Sequence, residues 1–511
     1  MTTSNNKRIA KNTFFLYIRM LLMMGATLYT SRVVLEVLGI EDYGIYNLVA
    51  GVVVLFTFLS TTMTTATQRY FCTLIGRGEK GLLQEMFSSS LIAHLLLILL
   101  LVVIAETLGL WFINTQLVIP PDRHYAALIV YQLSIAITVT NVYRIPFNAA
   151  VLSYERMSFY AYTGIVEVFL KLAILWPLSM IKADKLVLYV MLLLAVNVIV
   201  LLWYIVFVHT RLESVRHRFA GFKSSCVTDI FKFAGWSSFS AFANVGSRQG
   251  LNFLVNIFYG VTLNASIGVM NQVSSAVFQF IGNFQSAVTP PLIKDYANGE
   301  FGEVRKLLIL SSKFSFFLLL LLITPIIFNI DKILGIWLTD VPPLTSWFCV
   351  FSLISLLPNT IGGPVWTVMQ ASGRIKRYQI VISAVTLLNI PVYYLLLKLN
   401  FSPQSTVLVQ FVTNMLVVFV GTRMGLGRLG ITVGSMLTGV VIPCFLPLLI
   451  GWTLIFAQMQ YLPIHISGDF FEIVVSACLQ IVFVGIIIAF VGLSGKEREL
   501  FKNMLLSRFR K

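Results

Sequence analysis

The stretch "LVLYVMLLLAVNVIVLLWYIVFV", Leu186 to Val208, decides the fold class. It holds 23 residues without a charge, and Asn197 is its one strongly polar side chain. As α-helix it is about 34 Å long, enough to cross the roughly 30 Å hydrocarbon core of a bilayer. A second run, "LIAHLLLILLLVVIA" from Leu91, points the same way. The whole chain agrees: of 511 residues 58% are hydrophobic and 11% charged, with mean hydropathy +0.87. A soluble domain carries about 25% charged residues. Length alone would suggest about three soluble domains, but the composition excludes them. It equally excludes disordered, collagenous, coiled-coil and disulfide-scaffold classes. An all-α polytopic membrane protein follows.

Fourteen apolar windows are candidate transmembrane helices: 13–36, 44–66, 87–110, 126–150, 158–181, 185–208, 230–260, 264–291, 308–330, 344–370, 378–398, 404–424, 434–458 and 470–493. An even number puts both termini on one side. With the N-terminus inside, 25 Lys and Arg fall in cytoplasmic loops and tails, and five (Arg123, Lys182, Lys185, Lys332, Lys398) in the opposite loops. That asymmetry follows the positive-inside rule. It accounts for the formal charge of +16 without nucleic acid. We therefore expect a bacterial inner (cytoplasmic) membrane protein with both termini cytoplasmic. "MTTSNNKRIAKN" runs into the first span with no cleavage site, so no signal peptide is expected. The five cysteines form no CxxC and have no His at ligand spacing, so no metal is expected.

The longest basic loop, "HTRLESVRHRFAGFKSSCVTD" from His209, divides the chain. It sets an N-lobe at 1–208 (helices 1–6), a cytoplasmic basic linker at 209–229, and a C-lobe at 230–428 (helices 7–12). Two extra helices and a basic tail occupy 429–511. The lobes repeat. "GIYNLVAG" from Gly44 matches "GVMNQVSS" from Gly268 at an offset of 224, pairing Asn47 with Asn271, Gly51 with Ser275, Thr61 with Gln285, Thr62 with Ser286 and Thr65 with Thr289. "NVYRIP" (Asn141–Pro146) matches "NTIGGP" (Asn359–Pro364) at 218, each followed by a loop arginine, Arg156 and Arg374. Two pseudo-symmetric six-helix lobes are implied, both in the same orientation.

Polar side chains are costly against lipid and turn inward. In span 7, Ser237, Ser240, Asn244, Arg248 and Asn252 share one arc. A central arginine costs roughly 2.5–3.5 kcal/mol on insertion scales. Two readings stand for Arg248: satisfaction by backbone carbonyls or a buried acid, or a water-filled cavity whose cation awaits an anion. Deep acids are few. Glu167 and Lys171 have the favourable i,i+4 order and are expected to neutralise each other. Arg32 and Glu36 share that spacing at the outer end of span 1, as a pair or as a gate. Arg19, Arg144 and Arg248, with Lys232 and Lys313 near inner edges, are left without an evident partner. A cavity of net positive charge suits an anion, and arginine's planar fork suits phosphate. Trp236, Phe239 and Phe242 are placed either to stack on sugars or to pack. The candidate substrate-binding residues are thus Arg19, Arg144, Arg248, Asn244, Asn252, Asn47 and Asn271. The gate or ion-pair candidates are Arg32, Glu36, Glu167 and Lys171.

The N-terminal "NTFFLYIRM…SRVVLEVLGIEDYGIYNLV…TATQRYF" resembles the start of Wzx-type bacterial polysaccharide flippases. These belong to the multidrug/oligosaccharidyl-lipid/polysaccharide exporter superfamily. The carrying features are Leu-Gly followed by Asp-Tyr-Gly-Ile-Tyr at Leu38–Tyr46, Gln68 to Phe71, and the "PPLIKDYANGE" exit of span 8. The resemblance implies a twelve-helix, two-lobe core with two extra helices that works by alternating access. The implied cargo is an undecaprenyl-diphosphate-linked oligosaccharide, moved from the cytoplasmic to the periplasmic leaflet, for O-antigen or capsule synthesis. It implies a transporter rather than an enzyme, with no cofactor but proton or sodium coupling open, and with glycan polymerase machinery as a possible partner. Two alternatives remain at this stage: a multidrug/cation antiporter of the same superfamily, and a peptidoglycan-precursor flippase.

Overall fold

A computed structural model of the chain describes residues 3–55, 62–64, 66–68, 70–71, 74–75, 78–154, 156–181, 183–212, 222–372, 375–425, 429–461, 469–495 and 497–499. Those residues are 89% helical and contain no strand. In lipid a chain has no water to satisfy its peptide groups, so helices that bond internally are the available solution. Eleven helices among the described residues are long and apolar enough to cross a bilayer. The chain is a multi-pass membrane protein. Its apolar outer faces fit that setting: Leu96, Leu99, Leu100 and Val103 are each at least half exposed along one helix.

The contacts define two compact units, Met1–Gly268 and Val269–Lys511. Unit 1 holds α1 (Thr3–Val54), α2 (Lys80–Ile104), α3 (His124–Ser153), α4 (Met157–Ala173), α5 (Lys185–Arg211) and α6 (Ser224–Tyr259). The next helix, α7 (Val261–Ala297), contributes residues to both units. Within unit 1, α3 packs on α5, α1 and α2, while α6 packs on α1 and α2.

Two glycines punctuate unit 1. Gly39 (φ 79, ψ 170) breaks α1 into the two helices expected there, and Gly260 (φ 76, ψ −171) separates α6 from α7. Both need a backbone region that side chains disfavour. The same conformation thus precedes the Asn47 and Asn271 helices of the two sequence repeats. The fourteen expected spans and the eleven apolar helices differ in three places. Met24–Val54 counts once although Gly39 divides it, and α6 and α7 fall short on hydropathy. Their Ser, Asn, Gln and Arg248 side chains are the reason.

Close packing explains the glycines of the first repeat. A Cβ on Gly44 would collide with the Val261 carbonyl oxygen, and one on Gly51 would lie 2.6 Å from Gln249 Oε1. These glycines let backbones approach, as small residues do between membrane helices. Beside them, α2 continues through a π-turn at Ala105–Gly109. There the Tyr131 hydroxyl donates to the Ala105 carbonyl (2.8 Å), and Gly109 leaves it room.

Unit 2 holds α8 (Phe301–Phe328), α9 (Thr345–Ser355), α10 (Leu357–Ala371), α11 (Ile375–Leu387), α12 (Asn389–Lys398), α13 (Ser405–Gly425), α14 (Ile442–Tyr461) and α15 (Asp469–Ile487). The last two helices are integral to its core: Cys444, Leu448, Val484 and Ile488 pack in one cluster with Phe316, Phe317 and Leu320 of α8. Polar ties add register, with Asn329 donating to Gln480 (3.2 Å) and Trp452 to Thr324 (2.9 Å). Lys313, expected without a partner, is corrected: it is buried and donates to both oxygens of Glu497 at 2.9 and 2.7 Å. Glu497 also accepts from the Ser494 amide (2.7 Å), closing the "SGKE" start of the tail.

Candidate functional site

The polar arc of α6 divides into two stretches with different surroundings. Arg248 is exposed, and among the described residues it makes no ion pair or hydrogen bond. One turn earlier Asn244 is exposed too, its amide donating to the Ser240 carbonyl (2.9 Å). Phe239 and Phe242 are exposed on the same helix, while the side chains of Trp236 and Ser237 lie outside the described residues. This stretch presents a cation, an amide and aromatic rings.

The other stretch is committed to structure. Asn252 is buried and donates to the Asn47 carbonyl (3.3 Å), while Asn264 donates to the Asn252 carbonyl (2.8 Å) and to its Oδ1 (2.6 Å). Asn256 donates to the Val118 carbonyl (3.1 Å) and Asn264 Oδ1 (3.1 Å), and accepts from the Val118 amide (2.9 Å). Asn47 donates to the Tyr43 carbonyl (2.7 Å) and lies where a Cβ on Gly268 would collide with it at 2.6 Å. Of the two asparagines expected to contact substrate, Asn252 is buried within this ladder, while Asn47 is half-buried with its amide on its own helix. Asn271 is exposed in unit 2.

A charged cluster joins α3, α4 and α5. Lys171 donates to Glu167 Oε1 (2.7 Å), as the i,i+4 spacing implied. Arg144, expected without a partner, is corrected: its Nη1 reaches Glu167 Oε2 at 3.4 Å. Its guanidinium also lies over the Tyr204 ring, 5.9 Å from the centroid. Of the remaining candidates, Arg32 is half-buried and Glu36 exposed. The side chain of Arg19 lies outside the described residues, as do those of Thr61, Thr65 and Ser286 of the repeat stripe, Arg374, and residues 213–221 of the expected linker.

Sequence reasoning missed a second cluster. Arg123 directs Nε and Nη2 onto the two oxygens of Asp42 (2.7 and 2.5 Å), and Nη1 and Nη2 onto Asp184 (2.8 and 3.3 Å). Asp184 also caps α5, accepting from the Leu186 and Val187 amides (3.1 and 3.2 Å). Burial would raise the Asp184 carboxyl, but Arg123 and those amides outweigh it and hold it below the usual range. An acid three residues after Gly39 and another directly before an apolar run were the available signals. Also missed was His94, buried in α2, whose Nδ1 bonds the Ser90 carbonyl (2.7 Å) while Nε2 meets no described partner. Among the described residues no three His, Cys, Asp or Glu side chains gather as a metal site.

No protein-family model and no curated protein sequence matches the chain. Solved structures do match in fold. An inward-facing multidrug resistance MATE family transporter of the MOP superfamily aligns at TM-score 0.66 and 14% identity, over 79% of this chain and 94% of its own. An outward-facing transporter of that description aligns at 0.58 and 16%, over 82% and 95%. A MOP superfamily transporter from Pyrococcus furiosus, described by a reverse polarity of its binding pocket that suggests a different function, aligns at 0.54 and 15%, over 82% and 95%. The chain therefore has the fold of MATE transporters of the MOP superfamily.

Proposed function

We propose that the protein is a flippase that moves an undecaprenyl-diphosphate-linked oligosaccharide from the cytoplasmic to the periplasmic leaflet by alternating access. The observation that carries this reading is Arg248: a guanidinium far from either end of a long helix, exposed, with no described carboxylate beside it. An uncompensated cation in a membrane helix is expensive and marks an anion path. A diphosphate supplies paired oxygens that fit the guanidinium fork. Asn244 and the exposed rings of Phe239 and Phe242 are the adjoining groups for sugar hydroxyls and sugar faces. Arg19, also in unit 1, remains a candidate for the same head group. The Pyrococcus furiosus transporter, whose reversed pocket polarity is described as suggesting a different function, is a precedent for a change of function on this fold. Inner-membrane residence, cytoplasmic termini and coupling to protons or sodium belong to the same proposal, as does partnership with glycan polymerase machinery.

A second reading, a multidrug/cation antiporter, is favoured by the MATE descriptions of the neighbours. That chemistry calls for a free carboxylate in the site, whereas Glu167 is bound to both Lys171 and Arg144. Arg248→Ala discriminates. The expected outcome is loss of surface polysaccharide with prenyl-linked oligosaccharides accumulating by mass spectrometry, while the protein remains in the membrane. Normal polysaccharide would remove Arg248 from the site. Efflux of ethidium or norfloxacin by cells overproducing the protein would favour the antiporter. An essential gene would point to the peptidoglycan precursor as cargo.

A further inference from the structure

Two arginines of unit 1 are used in opposite ways. Arg123 makes four contacts of 2.5–3.3 Å to two carboxylates, with all three guanidinium nitrogens engaged. Arg144 makes a single polar contact among the described residues, a long 3.4 Å approach to Glu167 Oε2. A guanidinium has five N–H donors in a rigid plane. The Tyr204 ring lies beneath the guanidinium, 5.9 Å from its carbon to the ring centroid, and among the described residues four of the five N–H donors have no acceptor. Glu167 is itself held more closely by Lys171, at 2.7 Å on its other oxygen. One carboxylate therefore serves two cations, and the cluster of Arg144, Lys171 and Glu167 carries a net charge of +1. All three are only half-buried, with side-chain exposures of 24%, 39% and 22%.

We propose that Arg144, Glu167 and Lys171 form a second binding site, for an oxyanion, within unit 1, in which Glu167 holds the place of the ligand's acid group. An arriving phosphate or carboxylate takes the open edge of Arg144 with two parallel hydrogen bonds and displaces the 3.4 Å contact. Glu167 stays neutralised by Lys171, so no bare carboxylate is left in the membrane. The cluster's spare positive charge supplies the attraction, and Glu167 sets the affinity by competition, which permits release. The site uses none of the residues assigned to the Arg248 face and stands or falls separately.

The test is binding of two probes, farnesyl diphosphate and glucuronate, to the purified full chain in detergent. They distinguish a lipid head group from an acidic sugar as the source of the oxyanion. Glu167→Gln removes the competitor at equal size and is expected to tighten binding of at least one probe by about tenfold. Tightening for farnesyl diphosphate alone assigns the site to the head group, and for glucuronate alone to the glycan; either supports the site. Arg144→Lys keeps the cluster's charge but loses the fork, and is expected to weaken that same probe by about tenfold. Unchanged affinity for both probes in Glu167→Gln, or unchanged affinity in Arg144→Lys, overturns the proposal. Loss of all binding in Arg248→Ala with no response to Glu167→Gln would leave the Arg248 reading standing and this one refuted.

Discussion

Arg123 and Arg248 lie in one compact unit and are chemically identical, yet their surroundings differ in every respect that matters energetically. Around Arg123, two carboxylates saturate the guanidinium and are tied to a kinked helix and to the start of another. Around Arg248 no described acid or carbonyl takes a hydrogen bond. The saturated group has its partners already, so its removal acts on the fold. The unsaturated group has its desolvation cost uncompensated within the protein, so its removal is tolerated by the fold and acts on whatever it binds. Local satisfaction, rather than residue type or depth, separates a structural charge from a ligand-seeking one.

The largest effect that would break this contrast is a crossed pair of alanine variants. Under the flippase reading proposed above, Arg248→Ala is expected to cut transport by about a hundredfold, the equivalent of one charge-assisted contact of roughly 3 kcal/mol. Its unfolding temperature in detergent should stay at the wild-type value. Arg123→Ala is expected to do the reverse, lowering stability by about 1–3 kcal/mol because Asp42 and Asp184 lose their shared partner. The protein that survives should still transport. A variant Arg248→Ala that unfolds early, or an Arg123→Ala that folds normally but does not transport, would erase the distinction.

Asn256→Ala sharpens it from the polar side, since the amides of α6 split in the same way as the arginines. Asn256 satisfies both backbone groups of Val118 and the Asn264 side chain at once. Its loss is expected to cost about 1–3 kcal/mol in unfolding assays. Asn244→Ala, whose amide touches only its own helix, should leave stability within about 0.5 kcal/mol. Equal effects from the two variants would mean that the buried ladder contributes nothing beyond the exposed arc.

The membrane class, the helix positions and the polar arc of α6 were legible because each is written in a local pattern: long apolar runs, charge asymmetry, and periodicity at 100° per residue. The Glu167–Lys171 pair was legible for the same reason, being i,i+4 on one helix. What stayed hidden depends on which residues from distant segments meet. Arg123 and Asp42 are 81 positions apart, and Lys313 and Glu497 are 184 apart. No spacing rule links such pairs. The packing role of Gly44 and Gly51 stayed hidden for a related reason. Small and polar residues at helical spacing serve close helix packing as well as a wet cavity, and only the approach of Val261, Gln249 and Gly268 decides between them. The grouping of α14 and α15 with the core of unit 2 was likewise invisible, because apolar runs show that a helix is buried or lipid-bound but not against what.

The smallest expected effect tests the Arg123 cluster through acid. Asp184 titrates below its ordinary value of 3.8 in the folded protein, because Arg123 and the amides of Val187 and Leu186 favour the carboxylate more than burial disfavours it. A depressed folded value means the unfolded chain takes up the proton first. The stabilisation is therefore complete above about pH 4 and is lost as the pH falls through 3.8 toward the folded value. Asp184→Asn removes that titration while keeping a side-chain oxygen to cap α5. Its unfolding temperature should start slightly below wild type at neutral pH and fall less steeply between about pH 4 and pH 2.5. In an Arg123→Ala background the same substitution should leave the acid slope nearly unchanged, since the main partner is already gone. An identical acid slope for wild type and Asp184→Asn would show that the two contacts from Arg123 to Asp184 are geometry without stabilising force, and the contrast with Arg248 would rest on Asp42 alone.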